Sequence, residues 1–309
     1  MTSPSPPPSS EPFVVRGEGY GLIEVTGPDR ARWLHGLVSN EVKKLRPGEG
    51  NYSLFLTGKG KMIAECWILC SEDRLSVLSR PEHAATVAKS LDSYLMMDDV
   101  TLTNVSSSIA VVGAHGIGAP ELGGALVCGD PPRTEGQHAG TTIRMVAVSE
   151  FGPSGCLVIA PPAVVQRWDL PFSGDAAALD VLRIESGIPR WGVDMDSDTI
   201  PVEVGLESRA ISYDKGCYVG QEIIARIKTY GEPAKRLWGI RWNGEGAVAP
   251  KTTFTHEGRD AGWVTSSAVS PVFGSISLGY VKRTEGKAGA EVAASDGRAG
   301  TVVSLPFAR

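Results

Sequence analysis

The octet Lys215-Gly216-Cys217-Tyr218-Val219-Gly220-Gln221-Glu222 runs directly into Ile223-Ile224-Ala225-Arg226-Ile227. Its two glycines permit a tight backbone path into a helix. That path places Cys217 near a helix N-terminus with Lys215 beside it. Unpaired N–H groups, the positive end of the helix dipole and a neighbouring cation all favour a thiolate. Cys217 is therefore the one cysteine with an electrostatic case for reactivity. The plainer reading is a packed thiol at a loop-to-helix corner. A thiol catalyst of the acyl-transfer kind would also need a histidine close by, and none is near Cys217 in sequence.

A second stretch, Arg183-Ile184-Glu185-Ser186-Gly187-Ile188-Pro189-Arg190-Trp191-Gly192, ends a helix expected over Ala176–Ser186, with Gly187 as its stop. Glu185 falls at the carboxyl end, where the helix dipole disfavours an anion. A carboxylate there needs a nearby arginine or a ligand that donates hydrogen bonds. The amino group and ring N–H of a pterin form a two-donor edge that matches one carboxylate. The alternating Asp194, Asp196 and Asp198 lack the glycine and terminal glutamate of a calcium loop and read as a solvated loop.

Other signatures are absent. Gly113-Ala114-His115-Gly116-Ile117-Gly118 follows a strand with the wrong glycine order for a dinucleotide site. Lys59 and Lys61 lack the frame of a phosphate loop. Each of the five histidines is isolated and reads as a surface or packed residue. Cys66 and Cys70 lie in the apolar run Cys66-Trp67-Ile68-Leu69-Cys70 and read as core thiols. Four cysteines at ligand spacing are missing, so no permanently held metal or cluster is expected.

The elements that must position these residues follow from hydrophobic period and turn chemistry. A strand over 21–25 leads into a helix with Ala31, Trp33, Leu34 and Leu37 on its apolar face, Thr26 or Asp29 being the candidate cap. Strands over 51–56 and 61–69 flank the turn Thr57-Gly58-Lys59-Gly60. A strand at 75–78, a helix over 82–95 and extended chain over 100–105 come next. The strand Ile109–Val112 followed by Gly113 echoes the first strand–turn–helix unit and suggests two related halves. Strands at 142–148 and 156–160 and a helix through 222–227 follow. After Pro233, short β runs between glycines read as a small antiparallel barrel.

The chain has 309 residues, 42% of them hydrophobic and 21% charged, which describes a globular protein of two or three domains. A net charge of −5 argues against a basic nucleic-acid binder. No apolar run reaches the 18 or more residues of a membrane span. Met1–Pro12, with five prolines and four serines, reads as a disordered tail. Five scattered cysteines without a secretion signal suggest reduced thiols in the cytoplasm.

The octet, preceded by RIESGIPRWG and IPVEVGLE, closely resembles the YgfZ family of folate-binding proteins from about Phe13 onwards. That family is related in fold to the aminomethyltransferase (T-protein) of the glycine cleavage system. The resemblance implies an α+β, three-domain aminomethyltransferase-like fold. Two α+β domains would surround a central folate cavity, with a C-terminal antiparallel β-barrel. The implied division is a tail at 1–12, a discontinuous folate-binding domain at 13–50 plus 108–232, an inserted domain at 51–107 and the barrel at 233–309.

The implied function is a tetrahydrofolate-binding accessory protein. It would support iron–sulfur cluster assembly or repair, and through it the iron–sulfur enzymes that modify tRNA. Its expected partners are folate and iron–sulfur client or assembly proteins, with neither tight nucleic-acid binding nor a membrane. Cys217 is the motif cysteine, with Lys215, Tyr218, Gln221 and Glu222 as companions. Glu185 is the candidate pterin carboxylate, and Arg226 would pair with it or with the folate tail. Glu65 is the nearest match to the acidic strand residue of T-proteins, although the glycine pair is displaced and the acid is Glu. The alternative is a tetrahydrofolate-dependent aminomethyl- or methyltransferase, in which Glu65 and Glu185 matter and Cys217 need not.

Overall fold

The computed structural model describes residues 13–17, 19–115, 135–138, 141–147, 155–168 and 176–308. The expected tail and the segment around Pro120-Glu121-Leu122 lie outside them. The first of two five-stranded sheets is built from β2 (Gly21–Thr26), β3 (Gly50–Leu56), β4 (Met62–Cys70), β5 (Leu75–Ser79) and β6 (Thr101–Asn104), in the order β3-β4-β5-β2-β6. The second uses β1 (Phe13–Gly17), β7 (Ala110–His115), β8 (Glu135–His138), β9 (Thr141–Ala147) and β10 (Gly155–Ala160), in the order β1-β7-β10-β9-β8.

Read from its other edge, the second sheet is β8-β9-β10-β7-β1, which matches the first strand for strand. Every pairing in both is antiparallel. The echo seen in the sequence is thus a duplicated sheet. The edge strand of the first half is β6, next along the chain, whereas β1 fills that place in the second from the opposite end of the sequence.

Alternation along β4 assigns its two faces. Ala64, Cys66, Ile68 and Cys70 pack beneath α1 (Arg30–Leu37) and α2 (Pro81–Ser93), which bury Trp33, Leu34, Val87 and Leu91 there. Each such side chain contributes roughly 1.5–3 kcal/mol. Trp67 and Leu69 face the other way and meet Val111, Val146, Leu157 and Ile159 of the second sheet. Arg144 crosses between the sheets to Glu24 Oε1 (2.8 Å) and Ser76 Oγ (3.2 Å).

The helix α3 (Ala176–Glu185) stops as expected. Gly187 adopts φ +68°, the Ile188 N–H returns to Arg183 O at 3.0 Å, and the Gly187 N–H returns to Ile184 O at 2.9 Å. The helix α4 (Gln221–Tyr230) follows the octet. The strands β11 (Lys235–Trp242), β12 (Thr253–His256), β13 (Arg259–Ser270), β14 (Gly274–Lys282), β15 (Glu291–Ala294) and β16 (Ala299–Val303) close into a barrel in the order β11-β14-β13-β12-β15-β16. A shared cluster joins barrel residues Leu237, Ile276, Leu278 and Tyr280 to Leu54 and Met62 of the first sheet and Ile184 of α3. The α+β class with a C-terminal antiparallel barrel is therefore the architecture found. No helix among the described residues is long and apolar enough to cross a membrane.

Three expectations change. The strand β2 pairs with β5 and β6, so the sheet expected within 51–107 draws an inner strand from before residue 51. An apolar run specifies a strand but not its partner, and the boundary at 50/51 misplaces β2. The strand β7 continues through Gly113 to His115, which makes Gly113 a strand residue rather than a turn. Asp29 stands at the cap position of α1, but its carboxylate accepts from the Asp99 N–H at 3.0 Å and from the Arg32 side chain rather than from the backbone N–H groups of the helix.

Candidate functional site

Along β4, Met62 belongs to the cluster shared with the barrel and Trp67 to the cluster between the sheets. Glu65 lies between them, only 2% exposed, at the seam where both sheets and the barrel-side segments meet. The phenol of Tyr52, which packs against both clusters, donates a short hydrogen bond to Glu65 Oε1. His83, in the first turn of α2, places Nε2 3.4 Å from Glu65 Oε2. Trp191 lies edge-on to the His83 ring, with centroids 4.5 Å apart.

Two arginines complete this centre. Arg80 sits over the Trp67 ring at 5.6 Å and Arg209 over the Tyr52 ring at 5.5 Å. Burial alone would push Glu65 up; the charge of Arg80 and the hydrogen bonds of His83 and Tyr52 outweigh it and bring the carboxyl below its ordinary value. Burial, followed by the Glu65 charge, raises the Tyr52 phenol well above its usual range. His115 of β7 is pushed down to about 4 by burial and by Arg80. The centre therefore holds an ionised carboxylate with a protonated phenol, in surroundings that exclude water.

Of this centre, the sequence reading found only Glu65. Tyr52 carries a detectable signal, since strand alternation puts it and Trp67 on one face once β3 and β4 are paired. His83 looked isolated because its partner lies on another element.

Glu185 ends α3, as expected, and its Oε1 accepts a hydrogen bond from Ser270 Oγ of β13. Its Oε2 has no partner among the described residues. Arg226 is exposed on α4, and no ion pair joins it to Glu185, so that expected pairing is absent. A cavity of about 400 Å³ begins beside Glu185, at Ser186 and Gly187, and its wall includes Arg209, Arg236 and Trp238. Arg209 thus links this cavity to the Tyr52 ring.

Asp194, expected in a solvated loop, is 1% exposed. Its Oδ2 accepts from Arg183 Nη1 at 2.7 Å and from the Arg190 N–H at 2.9 Å. Its Oδ1 accepts from Thr265 and Ser266 of β13. Asp194 therefore joins α3 to the barrel. The interspersed charges gave no sign that one of three aspartates turns inward.

Within the octet, Lys215 is buried and donates its three ammonium hydrogens to His35 O and Val38 O (2.6 Å each) and Asn40 O (2.8 Å). These are carbonyls at and just beyond the end of α1, so Lys215 caps that helix. All three donors are spent, which removes Lys215 from the expected folate ligands. Burial lowers its ammonium to about 8. Tyr218 packs into the barrel-side cluster, and Gln221 opens α4 half-buried. Cys217 is exposed, in contrast to the buried Cys66, Cys70 and Cys156. It precedes the first residue of α4 by four positions.

Gly220 fixes this loop. It adopts φ +85°, and a Cβ there would lie 2.5 Å from Thr57 O in the turn between β3 and β4. Gly220→Ala is expected to destabilise the protein, as read from its urea midpoint at constant m-value, by more than the ~1 kcal/mol of an ordinary glycine substitution, since it meets both a strained φ and a backbone clash. An unchanged midpoint would contradict the docking of this loop.

Among the described residues, no group of three or more His, Cys, Asp or Glu is placed to hold a metal ion. Residues 17–132 match the GCVT N-terminal domain, and residues 235–308 match the glycine cleavage T-protein C-terminal barrel domain. A putative chloroplastic transferase of Arabidopsis thaliana is 28% identical over 310 residues, spanning 95% of this chain and 71% of that protein. An aminomethyltransferase of Picosynechococcus sp. is 27% identical over 289 residues, spanning 88% and 79%. The crystal structure of glycine cleavage system aminomethyltransferase T from Bartonella henselae has a TM-score of 0.81 at 20% identity, over 97% of this chain and 87% of that one, a likeness of fold.

Proposed function

Built from the two domains of the aminomethyltransferase-like superfamily, the chain belongs to that superfamily, and from this premise we propose that it is a tetrahydrofolate-dependent aminomethyl- or methyltransferase. The observation that carries the proposal is Glu65, a buried, ionised carboxylate held by Tyr52 and His83 where the sheets meet the barrel-side segments. The residues present suit a reduced folate. Glu185 Oε2 offers an unpartnered acceptor to the two-donor pterin edge, with Ser270 fixing the other oxygen. Tyr52 and Trp191, both half-buried, supply aromatic surface.

The folate, when bound, supplies a nucleophilic amine that accepts the one-carbon group. Glu65 stabilises positive charge at that nitrogen and takes up its proton. Tyr52 and His83 fix the two carboxylate oxygens, and Trp67 and Trp191 keep water from them.

A second reading rests on one specific observation, the exposed Cys217 between two anchored neighbours. It is the YgfZ-like role, in which the protein supports iron–sulfur clients, including tRNA-modifying enzymes, through that thiol. The domain matches and the relatives' names favour transfer over this role.

Anaerobic calorimetric titration with tetrahydrofolate, followed by turnover across aminomethylated and methylated donors, tests both. Under the transfer reading Glu185→Ala loses binding, while Cys217→Ala keeps both binding and turnover. Binding without any turnover, together with loss of client iron–sulfur activity in Cys217→Ala, would move the assignment to the second reading. Absence of wild-type binding would overturn both folate readings.

A further inference from the structure

The barrel holds the end of α3 at two points. The Phe307 N–H donates to the Glu185 carbonyl at 2.9 Å, and the Ser270 hydroxyl donates to Glu185 Oε1 at 2.5 Å. Ser270 ends β13, and Phe273 lies in the turn that leads on to β14. The rings of Phe273 and Phe307 pack with centroids 5.9 Å apart, so both anchors share one support. Arg241 covers the Phe273 ring at 5.0 Å.

Ser270 is 2% exposed, and every hydrogen-bonding valence of its hydroxyl is taken. A serine hydroxyl has one proton and two acceptor lone pairs. The N–H groups of Val272 and Phe273 occupy the lone pairs, at 3.0 and 2.9 Å. The single proton goes to Glu185 Oε1. Were Glu185 to turn away, a buried O–H would lose its acceptor, which is costly.

Glu185 itself is half-buried, and among the described residues Ser270 alone donates to its carboxylate. With the helix end held by Phe307 and Oε1 held by Ser270, the direction of Oε2 is set from the barrel. A carboxylate fixed in this way cannot re-aim when a ligand lacks one of two donors. Its oxygen is then left unpaired in the complex, the condition under which a polar site rejects an analogue most strongly. A carboxylate free to turn re-aims and loses less.

We infer that Ser270 is the positioning residue that gives the Glu185 site its preference for a ligand edge with two adjacent N–H donors. It touches no ligand and acts through Glu185 alone. The role rests on the folate reading above, in which Glu185 receives the pterin edge, and it places the control of selectivity in the barrel.

Anaerobic calorimetry on the full-length protein compares tetrahydrofolate with its analogue carrying methyl in place of the pterin amino group. The wild type should favour tetrahydrofolate by at least about 10²-fold. Ser270→Ala should weaken tetrahydrofolate about tenfold and cut that preference by at least about threefold. Unchanged affinity and preference in Ser270→Ala would overturn the role. Ser270→Thr and Ser270→Val are alike in shape and differ in the hydroxyl, so they keep the test decisive should Ser270→Ala fail to fold. Threonine should retain more of the preference than valine, and equal preferences in the two would overturn the role whatever either costs in stability. The two readings fail in different ways. A wild type that binds neither compound overturns the folate reading and the role with it. Binding lost in Glu185→Ala but intact in Ser270→Ala removes the role alone.

Discussion

Asp194→Ala is expected to destabilise the protein by about 3–5 kcal/mol, the usual cost of removing one partner from a buried ion pair. The Arg183 side chain is 3% exposed and that of Asp194 0%, and the two meet at 2.7 Å. Removing the carboxylate leaves a buried guanidinium whose remaining partners are Asp180, Ile188 O and Ser266. It also takes the acceptor from the Ser266 hydroxyl and leaves that of Thr265 only Leu278 O at 3.1 Å. Asp194→Asn keeps an acceptor but no counter-charge and should fall between the two. Urea midpoints at constant m-value measure this. The control is Asp198→Ala, whose partner Lys61 is 2.6 Å away on the surface, and no measurable shift is expected there. Equal shifts for Asp194→Ala and Asp198→Ala would show that Asp194 does not join α3 to the barrel.

Glu65→Gln is expected to lower kcat by about 10²–10⁴ while leaving the fold and the tetrahydrofolate Kd nearly unchanged. Glutamine keeps the shape, can still accept from Tyr52 and can donate towards His83, but it can neither take a proton nor balance a cation. The effect should therefore appear in kcat, with near-UV circular dichroism confirming an intact core. Glu65→Asp tests placement, since withdrawing the carboxylate by ~1 Å from Tyr52 and His83 should cost on the order of 10² in rate. Full activity in Glu65→Gln would remove Glu65 from the chemistry and leave it a structural carboxylate.

Much of the local structure was legible in the residues themselves. The apolar run within the strand at 61–69, the helical spacing of Trp33, Leu34 and Leu37, and the glycine stop at Gly187 are short-range features, set by backbone sterics and side-chain period. The barrel, the echo between the two halves and the candidacy of Glu185 and Cys217 follow from features of that kind, whereas Glu65 became a candidate only through the resemblance to T-proteins.

Tertiary structure alone decided their partners. It brought Tyr52, His83 and Trp191 to Glu65, turned Asp194 into the interior while Asp198 stayed outside, and aimed Lys215 at the end of α1. It also placed His35 and Cys217 on the wall of one cavity. The reason is range. Propensity and period act over a few residues, whereas a buried charge takes whichever partner the packing of distant elements delivers, because leaving it unpaired costs more than any local preference supplies.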